Sequence, residues 1–374
     1  MGQRANKKLQ SRHFTRGMSL PEILAAVLIG LIGMIVIMQV YATSEERKRT
    51  TTGTSDAQIN GNIALFTMQR TIRSAGFGMV SADNNMLGCT TLAYNSNRPA
   101  PDFTFLMAPV VITVGAAGAP DTLTVIYGSS PNVVEGEDFV SSAASGADFP
   151  LKNAAGVLAG DLVVASEPGL NCSLAEVTGF LPAAINTVQH VSGTPYSYVD
   201  GAGNTIGPAV PVYNKGGGSG VNYSANALLF SLGRSPTVVT YQIGSDKLQT
   251  KTLIPYVPAQ DSDGDGTSDA DIGDGVVQLK ALYGKDTTGS GAVDTWNNTL
   301  PANATQWMQV RAVRVALLAR SAKLEKTAVT PAAPTWNSGT AFTMTNPADG
   351  TDWHYYRYRV YEAVIPLRNM IWSN

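Results

Sequence analysis

The chain has 374 residues, and only 14% of them are charged, against about 25% in an average soluble protein. Glycine and proline are frequent, with 37 and 20 residues, which is typical of a strand-rich and loop-rich exported protein. The net charge of −2 and the pI near 5.9 disfavour a nucleic-acid-binding surface, so no nucleic-acid partner is expected. Three histidines far apart in sequence and two cysteines leave little for a zinc or haem centre.

The N-terminal residues 1–17 form a basic segment without acidic residues, and their formal charge is +5. From Ile23 to Met38 sixteen apolar residues follow in a row. With its apolar flanks this run approaches the roughly 20 residues that a membrane-spanning helix needs. Basic residues before the span place the N-terminus in the cytoplasm. The pattern therefore predicts a single membrane span and an exported remainder.

Three interpretations of this start compete. A secretory signal peptide would be cut near Val40-Tyr41-Ala42, but the apolar run exceeds the roughly 7–15 residues of such signals. A plain signal anchor explains the length of the run but not the acidic Glu22 at its start. The segment Gly17-Met18-Ser19-Leu20-Pro21-Glu22, followed by an apolar helix, resembles the prepilin signature of type IV pilins and type II secretion pseudopilins.

The resemblance implies that a prepilin peptidase cuts the chain after Gly17 and methylates the new N-terminus at Met18. The family prefers Phe at this position, so Met18 is a conservative departure. Glu22 would be the fifth residue of the mature chain. Its pairing with the Met18 amine of an adjacent subunit would remove two charges from the membrane and set the register between helices during assembly. The alternative is a solvated Glu22 near the positive end of the helix.

Four segments are predicted in chain order: a leader peptide (1–17), a transmembrane and filament-core helix (18–41), an amphipathic helical continuation (42–76) and a β-rich head (77–374). Apolar residues recur at helical spacing to about Ala75, and this stripe is predicted to be the face on which the head packs: Ile59, Ile63, Phe66 and Arg70, with Leu65, Met68 and Ile72 beside them. The Thr-rich run 50–54 is predicted to weaken the helix. Gly76 and Gly78 are predicted to end it.

Beyond the helix, alternating apolar and polar residues indicate strands. The predicted fold is α+β, with the long N-terminal helix packed against a large antiparallel head. Predicted strands cover residues 121–127, 161–165, 238–243, 247–253, 276–283, 310–318 and 356–361. Gly244-Ser245-Asp246 marks a hairpin turn. The Gly-rich stretch 192–226 is predicted to be a long loop or insertion, and 327–352 a second irregular stretch.

Scattered segments after the membrane span resemble the PilW type of minor pilin. They are residues 61–76, 88–89, 171–174, 276–279, 283–284, 310–320, 358–361 and 365–369. The resemblance implies a precursor in the inner membrane with a periplasmic head, which later reaches the pilus or cell surface. It also implies partners, namely other minor and major pilins, an inner-membrane assembly platform and the prepilin peptidase. The length of the chain favours this type over the shorter secretion pseudopilins.

Cys89 and Cys172 are the two cysteines of the chain. Because an exported head meets an oxidising compartment, they are predicted to form one disulfide. It would close a loop of about 80 residues, for which the chain-entropy estimate is roughly 4 kcal/mol. Two buried free thiols are the alternative.

The Asp-rich segment that begins at Asp261 matches the start of a calcium-binding loop. Asp261, Asp263 and Asp265 stand at alternate positions, from which carboxylates converge on one cation. Thr267 would add its backbone carbonyl, and Asp269 would add a further carboxylate. Calcium is therefore the predicted structural cofactor, and a solvated acidic turn is the alternative.

Two features limit the resemblance to a complete calcium loop. Position 12 is Ile272 rather than a bidentate Glu, so Asp271 or Asp274 would have to complete the shell within the Asp-rich loop 261–274. A related frame over 286–294 has hydroxyls in place of most carboxylates and is predicted to bind nothing.

No nucleophile motif, phosphate-binding loop or H-E-x-x-H motif occurs, so no catalytic residue is predicted and the chain is not expected to be an enzyme. The predicted function is that of a minor pilin in the priming or tip complex of a type IV pilus, with adhesion as a further role. One alternative is a minor pseudopilin of type II secretion. The other is a membrane-anchored, calcium-stabilised binding protein or hydrolase that does not polymerise.

Overall fold

The computed structural model describes residues 19–79, 86–130, 135–200, 202–337 and 339–371. The fold is α+β, as predicted, with a long N-terminal helix and a large, mostly antiparallel β-rich part. The chain divides into two compact units, Met1–Gly53 and Thr54–Asn374. The predicted cleavage site, Gly17 and Met18, lies outside the described residues.

The first helix, α1, spans Leu20–Ser74. A capping box begins it, because Glu22 Oε2 accepts hydrogen bonds from the Ser19 N–H at 3.0 Å and from the Ser19 hydroxyl at 3.2 Å. Pro21 lies in the first turn, where its missing N–H has no helical partner to lose. The helical backbone continues through residues 50–54, so the Thr-rich run does not interrupt it.

The first unit contains the apolar half of α1. The segment Leu20–Glu45 is long and apolar enough to cross a membrane, and none of its most apolar part is buried in the structure. An apolar surface of this length is stable only in a bilayer or against other apolar surfaces. Length and composition thus agree with the predicted span.

In the second unit, α1 packs on the strands through a face of small and flexible residues. Ala57, Gly61, Ala64, Met68 and Ile72 are spaced three or four residues apart, and all are buried. Small side chains let a helix approach a sheet closely, whereas bulky ones hold it away. This face therefore carries the contact with the sheets.

The predicted packing stripe is confirmed at Met68 and Ile72, which are buried, and is wrong for Ile59, Ile63 and Phe66. The side chains of these last three are 53%, 51% and 68% exposed, so they lie on the other side of the helix. Both stripes have helical spacing, and periodicity alone does not distinguish them. The smaller residues face the sheet because the backbones approach most closely there.

Gly61 makes the closest of these contacts. The ring of Tyr361 lies directly against it, so that a Cβ at position 61 would overlap the ring. The Tyr361 hydroxyl also donates a hydrogen bond to the Ala57 carbonyl at 3.3 Å. Further along the helix, the Tyr241 hydroxyl donates to the Thr71 hydroxyl at 2.8 Å.

The C-terminal end of α1 is capped by a residue from the far end of the chain. The Asn369 amide donates to the carbonyls of Ser74 at 3.2 Å and Ala75 at 3.0 Å. Gly76 has a φ of +77°, which confirms the predicted stop signal. Its N–H donates to the Ile126 carbonyl at 2.9 Å.

The strands follow in chain order. Those before residue 200 are β1 (Thr90–Tyr94), β2 (Asp102–Leu106), β3 (Val110–Thr113), β4 (Thr122–Tyr127), β5 (Glu137–Asp138), β6 (Phe149–Pro150), β7 (Leu162–Ser166), β8 (Cys172–Glu176), β9 (Gly179–Leu181), β10 (Ala184–Gln189) and β11 (Tyr196–Val199). The later ones are β12 (Thr205–Ala209), β13 (Leu228–Gly233), β14 (Thr237–Gly244), β15 (Lys247–Ile254), β16 (Ser268–Asp274), β17 (Val276–Lys285), β18 (Thr295–Asn297), β19 (Val310–Arg320), β20 (Thr335–Trp336), β21 (Thr340–Ala341) and β22 (Tyr358–Pro366). The short helix α2 (Ala304–Met308) precedes β19, and the short helix α3 (Arg368–Ile371) follows β22.

Three larger sheets organise these strands. Their strand orders are β2-β1-β8-β7-β13-β5, β16-β15-β14-β4-β3 and β18-β17-β19-β22. The main hydrophobic core lies between α1 and the sheets, a second cluster surrounds Phe139 and Val163, and a third lies beneath the hairpin β20–β21. Buried Asp121 links two of the sheets, since it accepts from the Ala281 N–H at 3.1 Å and pairs with Lys280 at 3.0 Å.

Most strand predictions are confirmed, and two loop predictions need correction. The hairpin β14–β15 turns at Ser245 and Asp246, both with positive φ. The stretch 192–226 contains the paired strands β11 and β12, and 327–352 contains β20 and β21. Such two-stranded ribbons carry little alternation of their own, so composition alone indicated loops.

A buried carboxylate fixes the insertion at 192–226. Glu176 accepts hydrogen bonds from the N–H groups of Val212 and Tyr213, at 2.8 and 3.1 Å, and from the Tyr196 hydroxyl at 2.5 Å. Asn214 completes the contact by bonding both the N–H and the carbonyl of Glu176. The insertion is thereby held at the C-terminal end of β8, where Glu176 lies.

Cys89 and Cys172 form a disulfide, with 5.8 Å between their Cα atoms. The two residues are 83 positions apart. The bond lies where β1 and β8 begin to pair in parallel, with Thr91 opposite Cys172. Parallel strands need a long connection between them, so β1 and β8 are not brought together by a short turn. The disulfide joins these two strands covalently.

Replacing Gly61 with Ala should destabilise the second unit by about 1–3 kcal/mol, because the new methyl group meets the buried Tyr361 ring. Asn62→Ala is the matched control, since Asn62 is exposed and Ala favours helix. Thermal melting of the detergent-solubilised chain provides the measurement. A Gly61→Ala protein that melts at or above the wild-type temperature would contradict this packing.

Candidate functional site

Glu22 caps the helix that contains the predicted membrane span. In the structure its carboxylate bonds the N–H and hydroxyl of Ser19 within the same chain. Cleavage after Gly17 would leave Met18 and Ser19 as the first two residues, so the new amine would belong to the residue before Ser19. Cleavage, methylation and intersubunit pairing stay predictions, because the described residues begin at Ser19.

The exposed stripe on α1 continues beyond its apolar part. The exposed residues Ile59, Ile63, Phe66, Arg70 and Arg73 alternate in steps of four and three. This spacing is that of a seam between two packed helices. The stripe therefore offers an apolar segment followed by a basic one on the solvent side of the second unit.

The Asp loop, residues 261–269, follows the 3₁₀ turn Pro258–Gln260 and ends in the first two residues of β16. Hydrogen bonds made by its own side chains shape the loop. Asp261 accepts from the N–H groups of Gly264 at 2.8 Å and Gly266 at 3.0 Å. Asp265 accepts from the N–H of Thr267 at 2.8 Å and from its hydroxyl at 2.6 Å. These turns bring carboxylate oxygens of Asp261, Asp263 and Asp265 within 4.8 Å of one another, close enough to share one calcium ion.

Lys251, from the neighbouring strand β15, already places a positive charge in this cluster. Its Nζ lies 2.8 Å from Asp263, 2.6 Å from Asp265 and 3.2 Å from Asp269. Asp269 also accepts from the Ser262 N–H and hydroxyl. The ammonium group thus neutralises part of the acidic charge that a metal ion would otherwise balance, and calcium would have to displace it.

The pKa shifts follow from these contacts. Burial by itself raises the pKa of the Asp265 and Asp269 carboxyls, but their hydrogen bonds, including those from Lys251, outweigh it and lower both. Burial would likewise lower the pKa of Lys251, and the three carboxylates raise it instead. The carboxylates therefore stabilise the fold above their unfolded pKa of about 3.9, and this contribution is lost as the pH falls through their lowered folded values.

Arg98 holds the Asp loop through a hydrogen bond to the backbone of the loop. It is buried, its Nε donates to the Gly266 carbonyl at 2.7 Å, and its guanidinium lies 4.3 Å from the centre of the Phe103 ring. Gly266 has a φ of +81°, and a Cβ there would meet the Arg98 Nη2 at 2.7 Å. Only glycine fits this position, so the loop is joined to the segment between β1 and β2.

The related frame at 286–294 is closed by its own chain. Asp286 accepts from the N–H groups of Ser290 at 3.0 Å and Gly291 at 2.8 Å. Asp294 accepts from the N–H groups of Thr287 and Thr288, at 2.9 and 3.1 Å. Its carboxylates serve as turn-forming acceptors.

The main residues that sequence reasoning missed here are Lys251 and Arg98. Lys251 stands opposite Asp269 in the pairing of β15 with β16, and a register for these strands would have placed the two side chains together. The strand β16 was not predicted, because its Asp and Gly residues disfavour strands. Arg98 is 168 positions from Gly266, and no local pattern relates them.

Comparison with known proteins bears on this part of the chain. Residues 240–369 match the family model described as Type IV Pilus-assembly protein W. The matched residues are less than half of the chain and include the Asp loop, Lys251, Tyr361 and Asn369, while the segment around Glu22 lies outside them. The match supports a PilW-like family and a place in type IV pilus assembly, and that family is a pilus-assembly component that is not known as an enzyme family. Neither the curated proteins nor the solved structures contain a match to the chain.

We propose that the Asp loop binds calcium weakly, in competition with Lys251. Removing this cation by Lys251→Met should strengthen calcium binding about tenfold, since the ion then meets an uncompensated cluster of acids. The calcium-dependent rise in melting temperature should be small in wild type at millimolar calcium and larger in the variant.

Lys152→Met is the matched control, because Lys152 pairs with Asp138, which lies outside the Asp-rich loop 261–274. Asp263→Ala combined with Asp265→Ala should abolish the calcium-dependent shift. An unchanged melting temperature at several millimolar calcium, in both wild type and Lys251→Met, would leave a loop neutralised by lysine alone.

Proposed function

We propose that this chain is a minor pilin that takes part in type IV pilus assembly as a subunit of a priming or tip complex. The match of residues 240–369 to the pilus-assembly family and the N-terminal apolar helix support this proposal. In it, the precursor spans the inner membrane once with its head in the periplasm. Adhesion by the exposed head after assembly is a further part of the proposal.

The observation that carries the proposal is the uncovered apolar surface along α1. None of the most apolar part of the segment Leu20–Glu45 is buried by the described residues. On the second unit, Ile59, Ile63 and Phe66 are more than half exposed. A bilayer can cover the first surface, but a helix face with the spacing of a packed seam calls for another helix. Helices of other pilus subunits are the partners proposed for it.

The proposed chemistry of the N-terminus involves Glu22. After the cut at Gly17, the mature chain begins with the amine of Met18, and we propose that Glu22 of one subunit pairs with this amine of the next. The intrachain bonds of Glu22 to Ser19 leave the carboxylate at the start of the helix, where such a partner can approach. The prepilin peptidase, other pilins and the inner-membrane platform are the proposed partners.

The mature chain should begin at N-methyl-Met18. Gly17→Leu should leave the precursor at its full length, because the peptidase needs a small residue at the cut, whereas Arg16→Lys should be processed normally. Mass spectrometry of the N-terminal peptide measures both outcomes. A mature chain that begins at Thr43 would indicate a secretory signal peptide instead.

Ile63→Ser combined with Phe66→Ser should lower pilus number at least about tenfold in a strain that lacks the native gene, since two apolar contacts between helices are lost. Asn62→Ser is the matched control on the same exposed side of the helix. Electron microscopy counts the pili, and an immunoblot confirms equal protein levels. Normal pili with reduced type II secretion would assign the chain to the secretion system.

A further inference from the structure

Strand β22 forms one edge of the sheet β18-β17-β19-β22. It pairs with β19 over nine residues without a shift of register. Just beyond its ends, the Leu367 N–H donates to the Arg311 carbonyl and the Ser321 N–H to the Arg357 carbonyl. Because hydrogen-bonded and non-bonded pairs alternate in an antiparallel ladder, the odd-numbered residues of β22 bond β19 and the even-numbered ones point away from it.

The outward-pointing backbone groups of β22 are thus those of Tyr358, Val360, Glu362 and Val364. Among the described residues, β22 has no second neighbouring strand. Glu362 is exposed, and the Val364 side chain is 51% exposed, so this edge is open to solvent over the second half of the strand. The Asn337 N–H donates to the side-chain carboxylate of Glu362 at 3.1 Å, so this contact does not use the backbone of β22.

Another long edge strand, β16, is protected against pairing by its acidic side chains. The edge strand β16 carries Asp269, Asp271 and Asp274, and such charges discourage pairing with a further strand. The outward-pointing positions of β22 hold one charged residue and three residues that favour strands. An uncovered edge of this kind is a place where an extended segment of another chain can add.

We propose that the outer edge of β22 receives an extended strand from a different pilus subunit, which carries an acidic side chain opposite Arg359. This proposal rests on the proposed function, since it names a contact within the pilus-assembly complex. The backbone of the incoming strand would bond the outward groups of Val360, Glu362 and Val364.

Arg359 determines the kind of partner. It is exposed, and among the described residues it has no acidic partner, while its guanidinium lies 6.0 Å from the Tyr361 ring. Pairing of β22 with a second copy of itself would place odd-numbered residues opposite odd-numbered ones, and the only acid of the strand, Glu362, is even-numbered. Self-pairing therefore leaves Arg359 without a counter-charge, and a different chain with an acidic residue fits it better.

Val364→Pro tests the edge directly. Proline removes one outward-pointing N–H and leaves the bonds to β19 in place, which is where edge strands tolerate it. In a strain without the native gene, this variant should reduce pilus number about tenfold relative to wild type. Val364→Thr, which keeps the N–H, should restore pili as wild type does. Protease resistance of the head and the intact Cys89–Cys172 bond verify folding.

Two further measurements decide the proposal if Val364→Pro fails to fold. Arg359→Glu should reduce pilus number, and Arg359→Lys should preserve it. A photo-crosslinking residue at position 364 should attach to another pilus subunit, whereas one at the exposed position Val140 should not. A crosslink from 364 to a second copy of this chain, or to no pilus subunit, would overturn the proposal.

The outcomes separate this proposal from the proposed function. If loss of the gene itself leaves pilus number unchanged, the function in pilus assembly is wrong. If loss of the gene abolishes pili and folded Val364→Pro restores them fully, the function stands and the strand addition at β22 is wrong.

Discussion

The fit of one helix face against the strands determines much of this structure. The helix α1 has two apolar stripes in its second half, and the sheet has room for only one of them. Gly61 brings the backbone of the helix against the Tyr361 ring, so the face with small residues is taken into the core. The bulkier stripe with Ile63 and Phe66 is left outside. The exposed apolar stripe is thus a direct result of internal packing.

The Asp loop is likewise shaped by contacts within the protein. Its carboxylates bond backbone N–H groups and an internal ammonium group, and a buried guanidinium holds its Gly266 carbonyl. The loop therefore keeps its shape through charges that belong to the protein. Any metal ion there would bind a turn that is already formed, and it would stabilise the folded state only by mass action.

The long regular elements could be predicted from the sequence, and the contacts between them could not. Strands such as β17 and β19 are long segments rich in apolar residues, and their prediction was confirmed. The prediction for Ile59 and Phe66 was wrong because these residues look like core residues unless the position of Tyr361 is known. Asn369, Arg98 and Lys251 act on distant or unpredicted partners, so no local pattern reveals them. The pairing of Cys89 with Cys172 was accessible because a chain with two cysteines has one intramolecular pairing.

The cap on α1 has a consequence for the order of events as the protein is made. The Asn369 amide and the Tyr361 hydroxyl contact helix residues that lie 294 to 304 positions earlier in the chain. During synthesis the helix is made long before the strand that completes its packing. Until β22 and Asn369 have been made, the second half of the helix lacks these contacts and both of its faces are uncovered. A chain truncated before β22 would therefore keep the strands of the earlier sheets but leave the buried face of the helix without its Tyr361 and Asn369 contacts.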